Sequence, residues 1–220
     1  MNTQELSLHH VIKKPAKSSE KPPVLILLHG YGSNEEDLFS FAAELPDSLF
    51  VISVRAPYTL MPMGYAWYAI HFDDVNGKWS DDEQAKTSRD AIANFIDEAL
   101  KAYDLEGSEV TLLGFSQGTI LSLSIALSYP EKITNVIALS GYLNERILAE
   151  DYTEKDHSKL HIYCSHGSVD EVIPVDLARK TPGFLKSRNI EHVYEEYPVG
   201  HGVAPQNFFA FKEWLEDRLS

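Results

Sequence analysis

Short apolar runs alternate along this chain with longer stretches in which apolar residues return every three or four positions. Val24 to Leu28, Phe50 to Val54, Val110 to Leu113, Ile133 to Leu139 and Leu160 to Cys164 are runs of the first kind. They are short, rich in branched residues and almost free of polar ones, so they read as strands buried on both faces. The second kind reads as helix. Leu38, Phe39, Phe41, Ala42 and Leu45 form one apolar face, ended by Pro46. Asp81 to Tyr103 places Ala91, Ile92, Phe95, Ile96, Ala99 and Leu100 on one side, and Asn207 to Leu219 carries Phe208, Phe211, Trp214 and Leu215. Thr119 to Tyr129 and Val175 to Arg188 are two further helices, the latter interrupted near Pro182-Gly183. Strands alternating with helices predict an α/β fold, a mostly parallel sheet with helices on both faces.

Three segments fit that pattern less simply. His192 to Tyr197 alternates as a strand, and Leu6 to Ile12 alternates loosely, as an edge strand does. Lys13 to Pro23 is polar and proline-rich and reads as the exposed connection of a hairpin into the next strand. Residues 1–23 are therefore an edge strand and loop of one domain spanning 1–220, a length that suits a single core. Tyr58 to Trp79 shows no period and reads as a long irregular stretch. It holds two of the three Trp, three Tyr and two Met. A loop this aromatic covers something apolar, either ordinary core or one wall of a substrate pocket. Met61, Met63, Trp67 and Tyr68 are its candidate substrate contacts.

The loops that follow the strands carry the chemistry. Gly114-Phe115-Ser116-Gln117-Gly118 is a G-x-S-x-G with a strand before it and a helix after it. A serine on such a turn stands at the C-terminal edge of the sheet, and flanking glycines remove side chains that would clash with the packed strand and helix. Asp170 follows the strand ending at Cys164, and His201 follows the strand ending at Tyr197. His29 to Gly32 is a glycine turn after a buried strand. In a parallel sheet all four loops open onto one edge, where ligands bind. A serine hydroxyl needs a base, and the base needs an acid to orient it. Ser116, Asp170 and His201 stand in the chain order of serine hydrolases built on α/β sheets, as nucleophile, orienting acid and general base.

Composition narrows the class. The net charge of −14, from 19 basic and 33 acidic residues, argues for solubility and against nucleic acid or an anionic membrane as a main partner, and the expected partner is a small-molecule ester substrate. No apolar stretch approaches the ~18 residues of a membrane span, and MNTQELSLHH lacks the pattern of a signal peptide, so a cytoplasmic enzyme is expected. The one cysteine, Cys164, lies in an apolar run and reads as core. His29 and His166 each precede a glycine at a strand end and read as residues that shape their turns. No ligand spacing suggests a metal, and no cofactor is expected.

LHGYGSNEEDL (Leu28 to Leu38), RAP (Arg55 to Pro57), GFSQG (Gly114 to Gly118), SGYL (Ser140 to Leu143), HGSVDEVIP (His166 to Pro174) and GHG (Gly200 to Gly202) together resemble the phospholipase/carboxylesterase family of α/β-hydrolases, which includes the acyl-protein thioesterases. The resemblance implies an α/β-hydrolase fold, the same triad, and an oxyanion hole from the backbone N–H groups of Tyr31 and Gln117. Two departures stand out. Thioesterase members usually show Trp followed closely by Phe-Asp, where this chain has Ala66-Trp67-Tyr68-Ala69, and Glu171 stands where proline often follows the acid. The expectation is a carboxylesterase for small to medium acyl groups. The alternatives are a lysophospholipase or acyl-thioesterase with the same triad, or a non-catalytic binding protein on the same fold.

Overall fold

The computed structural model describes residues 3–16, 19–73 and 77–219. Positions 17–18 of the expected 13–23 loop and 74–76 of the 58–79 stretch lie outside the described residues. The elements in chain order are β1 (His10–Lys13), β2 (Val24–Leu28), α1 (Glu36–Phe39) with a 3₁₀ turn, β3 (Phe50–Val54), β4 (Tyr58–Thr59), β5 (Tyr65–Ala66), β6 (Ile70–Asp73), β7 (Gly77–Ser80) and α2 (Asp82–Ala102). They continue with β8 (Val110–Phe115), α3 (Gln117–Ser128), β9 (Asn135–Leu139), β10 (His161–Gly167), α4 (Val175–Ala178), α5 (Lys180–Ser187), β11 (Glu191–Tyr197) and α6 (Pro205–Arg218).

Seven strands form one sheet in the order β1-β3-β2-β8-β9-β10-β11, with β1 antiparallel and the others parallel. The apolar runs are buried because helices cover both faces. On β2, Val24, Ile26 and Leu28 face a cluster with Ile92, Phe95 and Ile96 of α2 and Ile120 of α3, while Leu25 and Leu27 face Leu38, Phe211 and Leu215. Every residue of α3 is buried, so this helix runs through the interior with no solvent face. The chain leaves β2 toward β3 on one side, whereas β8, on β2's other side, is followed outward by β9. The loops after β2 and β8 therefore diverge, which opens a crevice at the C-terminal end of the sheet.

Four expectations need correction. β1 makes no hairpin with β2. It pairs with β3, in the register His10 to Val54, because β2 already has β3 and β8 on its two edges. The described residues of the 58–79 stretch are not irregular throughout: with Ser80 they hold two antiparallel ribbons, β4-β5 and β6-β7. β10 continues past Cys164 to Gly167, since its ladder with β11 runs on through His166–Glu196 and Gly167–Tyr197. The helical break falls at Arg179, between α4 and α5, and not at Pro182-Gly183. Pro182 sits in the first turn of α5, where its missing N–H costs nothing.

Two buried histidines tie the edges of this fold to its pH response. His10 lies 3.0 Å from Leu8 O through Nδ1 and 2.7 Å from the Tyr103 hydroxyl through Nε2. His29 lies 2.7 Å from Gly30 O through Nδ1, and its Nε2 accepts the Ala56 N–H at 3.1 Å. In the His29 ring Nδ1 donates and Nε2 accepts, which only the neutral form can do; in His10 Nδ1 donates to the carbonyl, and the Tyr103 hydroxyl can meet Nε2 in either role. Burial holds both pKa values below the usual histidine range. As pH falls through about 6.5, the unfolded chain takes up protons that the folded one refuses, so stability drops, by at most ~1.4 kcal/mol per histidine per pH unit. Denaturant unfolding should show full stability at pH 7.5 and a lower midpoint at pH 5.5, with part of the loss removed in His10→Gln.

Candidate active site

Ser116 joins β8 to α3 at φ +54° and ψ −114°, a region that side chains rarely adopt. The turn can form because both flanking glycines meet backbone. A Cβ on Gly118 would stand 1.8 Å from Leu28 O, and one on Gly114 would stand 2.4 Å from the carbonyl of Gly118. β8 and α3 thus press against each other and against β2, and Ser116 is lifted to the floor of the crevice.

His201 follows β11. Its Nδ1–H donates to Asp170 Oδ2 at 2.7 Å. The Asp170 carboxylate is fully buried, and its Oδ1 also accepts the N–H groups of Val172 at 2.8 Å and Ile173 at 2.9 Å. Burial alone would raise its pKa. The His201 hydrogen bond and the two backbone donors outweigh that and hold the carboxyl below the usual carboxylate range. With Nδ1–H held by the acid, Nε2 of neutral His201 is the nitrogen left to take a proton. Among the described residues no hydrogen bond links it to Ser116 Oγ, a contact that commonly tightens only when substrate binds.

Ser116, His201, Tyr31 and Gln117 line one cavity of about 450 Å³. The backbone N–H groups of Tyr31 and Gln117 donate to no acceptor among the described residues. Gln117 does more than its position suggested. Its buried side chain accepts the Trp67 N–H through Oε1 at 3.1 Å and donates from Nε2 to Tyr68 O at 2.8 Å. It ties the ribbon segment to the serine turn. The glycine turn is tied to the same ribbon by Gly32 N–H to Tyr65 O at 2.9 Å and Tyr65 N–H to Ser33 O at 2.8 Å. Arg55 explains the R of the RAP motif: it forms a two-pronged pair with buried Glu35 and lies 4.6 Å over the Tyr65 ring.

The aromatic stretch divides. Tyr68 lines the cavity with Ile70 and Trp79. Trp67 does not. It is fully buried behind the wall, with Nε1–H donating to His29 O at 2.8 Å. Met61 and Met63 are 89% and 83% exposed and stand outside the lining. Tyr142, Arg146, Ile173 and Leu177 complete the wall. Nothing in the local pattern marked Arg146, whereas Tyr142 lay within the SGYL motif. His166 shapes its turn as expected, with Nε2 2.8 Å from Ile173 O, and Cys164 is buried core whose thiol is pushed up to about 12. No group of three or more potential metal ligands occurs among the described residues.

The sequence profile of the phospholipase/carboxylesterase family matches residues 9–219. The chain belongs to this family. Among its curated relatives, acyl-protein thioesterase 1 of Debaryomyces hansenii is 25% identical over 225 residues, 94% of this chain and 93% of that protein. A probable carboxylesterase of rice, Oryza sativa subsp. japonica, is 24% identical over 156 residues, 70% of this chain and 58% of that protein. The solved Bacillus cereus carboxylesterase superposes with a TM-score of 0.81 at 22% identity, covering 97% of this chain and 95% of that one, and so shares its α/β-hydrolase fold. Membership makes the chain a carboxylesterase-type serine hydrolase.

Proposed function

We propose that this enzyme cleaves carboxylic esters of small to medium acyl groups through an acyl-enzyme on Ser116. His201 Nε2 takes the hydroxyl proton as Oγ attacks the ester carbonyl, then returns it to the leaving alcohol. Water repeats the sequence in reverse roles and frees the acid. Asp170 holds the imidazole in the tautomer this requires. The N–H groups of Tyr31 and Gln117 receive the developing oxyanion, the second aided by the N-terminal end of α3. One observation carries the reading: a strained serine, a histidine fixed by a buried carboxylate and two unengaged N–H groups meet in one cavity.

The acyl preference rests on that cavity, whose volume of about 450 Å³ lies in the lower half of the ~300–1,000 Å³ typical of ligand pockets. Aryl esters from acetate to palmitate, with Ser116→Ala as control, provide the test. The best kcat/KM is expected from acetate to octanoate. Palmitoyl thioesters or long-chain lysophospholipids as the best substrates would move the assignment to the alternatives, of which the thioesterase has the support of the yeast relative. The substrate is a free small molecule in this reading. Among the described residues no helix is long and apolar enough to cross a membrane. A cytoplasmic site of action completes the proposal, supported by a single cysteine that leaves no intrachain disulfide to maintain.

A further inference from the structure

The cavity lining is not uniformly apolar. Tyr68 is only 2% exposed, but its hydroxyl is not sealed from solvent and donates to no protein acceptor among the described residues, and neither does that of half-buried Tyr142. Other tyrosines in this chain are satisfied by the protein: buried Tyr163 donates to Glu195 at 2.7 Å, and partly buried Tyr129 to Asp90 at 2.6 Å. An alkyl chain that displaced the cavity's water would leave both phenols without an acceptor, which is costly, so two of them lining one cavity point to an occupant that supplies one.

The charged groups beside them narrow its chemistry. Asp82 accepts Asn144 Nδ2–H at 3.0 Å and pairs with Arg146 Nε at 3.0 Å. Its charge acts on both phenols. Together with burial, the larger effect, it raises both pKa values, so both hydroxyls remain donors at physiological pH. The Arg146 side chain, 75% exposed, is already engaged by Asp82. A substrate carboxylate placed here would meet Asp82 without an unshared cation to balance it. A neutral oxygen meets no such penalty.

We propose that Tyr68 and Tyr142 form a polar subsite that selects esters carrying a neutral oxygen acceptor, a ketone, ether or hydroxyl, on the chain that fills this wall. The inference rests on the esterase reading above and gives that site a substrate class. Selection works mainly by rejection: a site built to hydrogen-bond an oxygen discriminates against the alkyl analogue that leaves its donors unpaired.

The test compares aryl esters bearing a ketone at C4 to C7 of the acyl chain with isosteres in which a methyl branch replaces the oxygen. A second arm carries the same pairs in the alcohol portion of acetate esters. Each rate is divided by its hydroxide-catalysed rate, which removes inductive effects. In one arm, at one or more positions, the ketone should be favoured in kcat/KM by about tenfold or more. Tyr68→Phe and Tyr142→Phe should each shrink that ratio, and the double variant should bring it near one. If Tyr68→Phe fails to fold, Tyr142→Phe alone must still lower the ratio. A ratio near one at every position in wild type, or a preference that survives both substitutions, overturns the inference and leaves a Ser116-dependent esterase standing. A wild-type enzyme that cleaves none of these esters overturns both readings.

Discussion

Ser116→Ala will lower kcat/KM on a short-chain aryl ester by about 10⁴-fold or more, with the circular dichroism spectrum unchanged. Members of such a triad act as a unit, so removing the nucleophile alone removes nearly all that the triad contributes. What survives comes from the cavity and the two N–H groups, which alanine leaves in place. The fold should tolerate the change, because the turn is secured by the backbone contacts of Gly114 and Gly118 and not by the serine hydroxyl. A second substitution separates chemistry from strain. Alanine at φ +54° keeps the unfavourable backbone, whereas Ser116→Gly relieves it. Such strain costs on the order of 1–3 kcal/mol, and glycine gives back roughly 0.5–1 kcal/mol in entropy. Ser116→Gly should therefore be inactive and at least as stable as Ser116→Ala in denaturant unfolding. Activity in either variant within tenfold of wild type would remove Ser116 from the mechanism.

The second large effect is expected at Asp170 and not at its neighbour. Asp170→Asn should cost roughly 10⁴-fold in kcat. The carboxylate accepts from three donors at once, His201 Nδ1 and the N–H groups of Val172 and Ile173. An asparagine amide has one acceptor oxygen and one donor nitrogen. If the oxygen stays on the two backbone N–H groups, its NH₂ faces Nδ1, and the ring must carry its proton on Nε2, where it cannot take one from serine. If the amide flips, NH₂ meets two N–H groups, and stability falls by about 1–3 kcal/mol. Glu171 is exposed and outside the cavity lining, so Glu171→Gln should change kcat less than twofold to threefold. Two adjacent carboxylates on one loop thus differ because the turn buries one and leaves the other in water. Reversed effects would move the acid to Glu171.

Much of this was legible from local pattern. β2 and β3 were bounded correctly by their apolar runs, because a strand buried on both faces stays almost wholly apolar until it ends; the exception, Ser53 of β3, satisfies its hydroxyl by donating to Glu35 O at 2.6 Å. The helix over 82–102 was visible because it is amphipathic, with Ala85, Ile92, Ala93, Phe95, Ile96 and Ala99 on its buried face. The two ribbons within 58–80 were not legible, since their strands are two to four residues long and offer no period to read. Met61 and Met63 misled for a related reason. Apolar character marks residues that could be buried, but the turn between β4 and β5 carries these two into solvent.

What the sequence by itself determined is the order of the seven strands of the main sheet and of the helices between them, the serine turn with its two glycines, and the succession of Ser116, Asp170 and His201 along the chain. Each depends on neighbours within a few residues, or on order alone. Only the tertiary structure decided that β1 pairs with β3, that Gln117 ties Trp67 and Tyr68 to the serine turn, that Trp67 stands behind the cavity wall while Tyr68 stands in it, and that Tyr142 and Arg146 line the same cavity. Those outcomes depend on which groups meet across tens of residues of intervening chain. A hydrogen-bonding side chain carries the same local signal whether its partner is water or a distant carbonyl, so only the folded arrangement distinguishes the two.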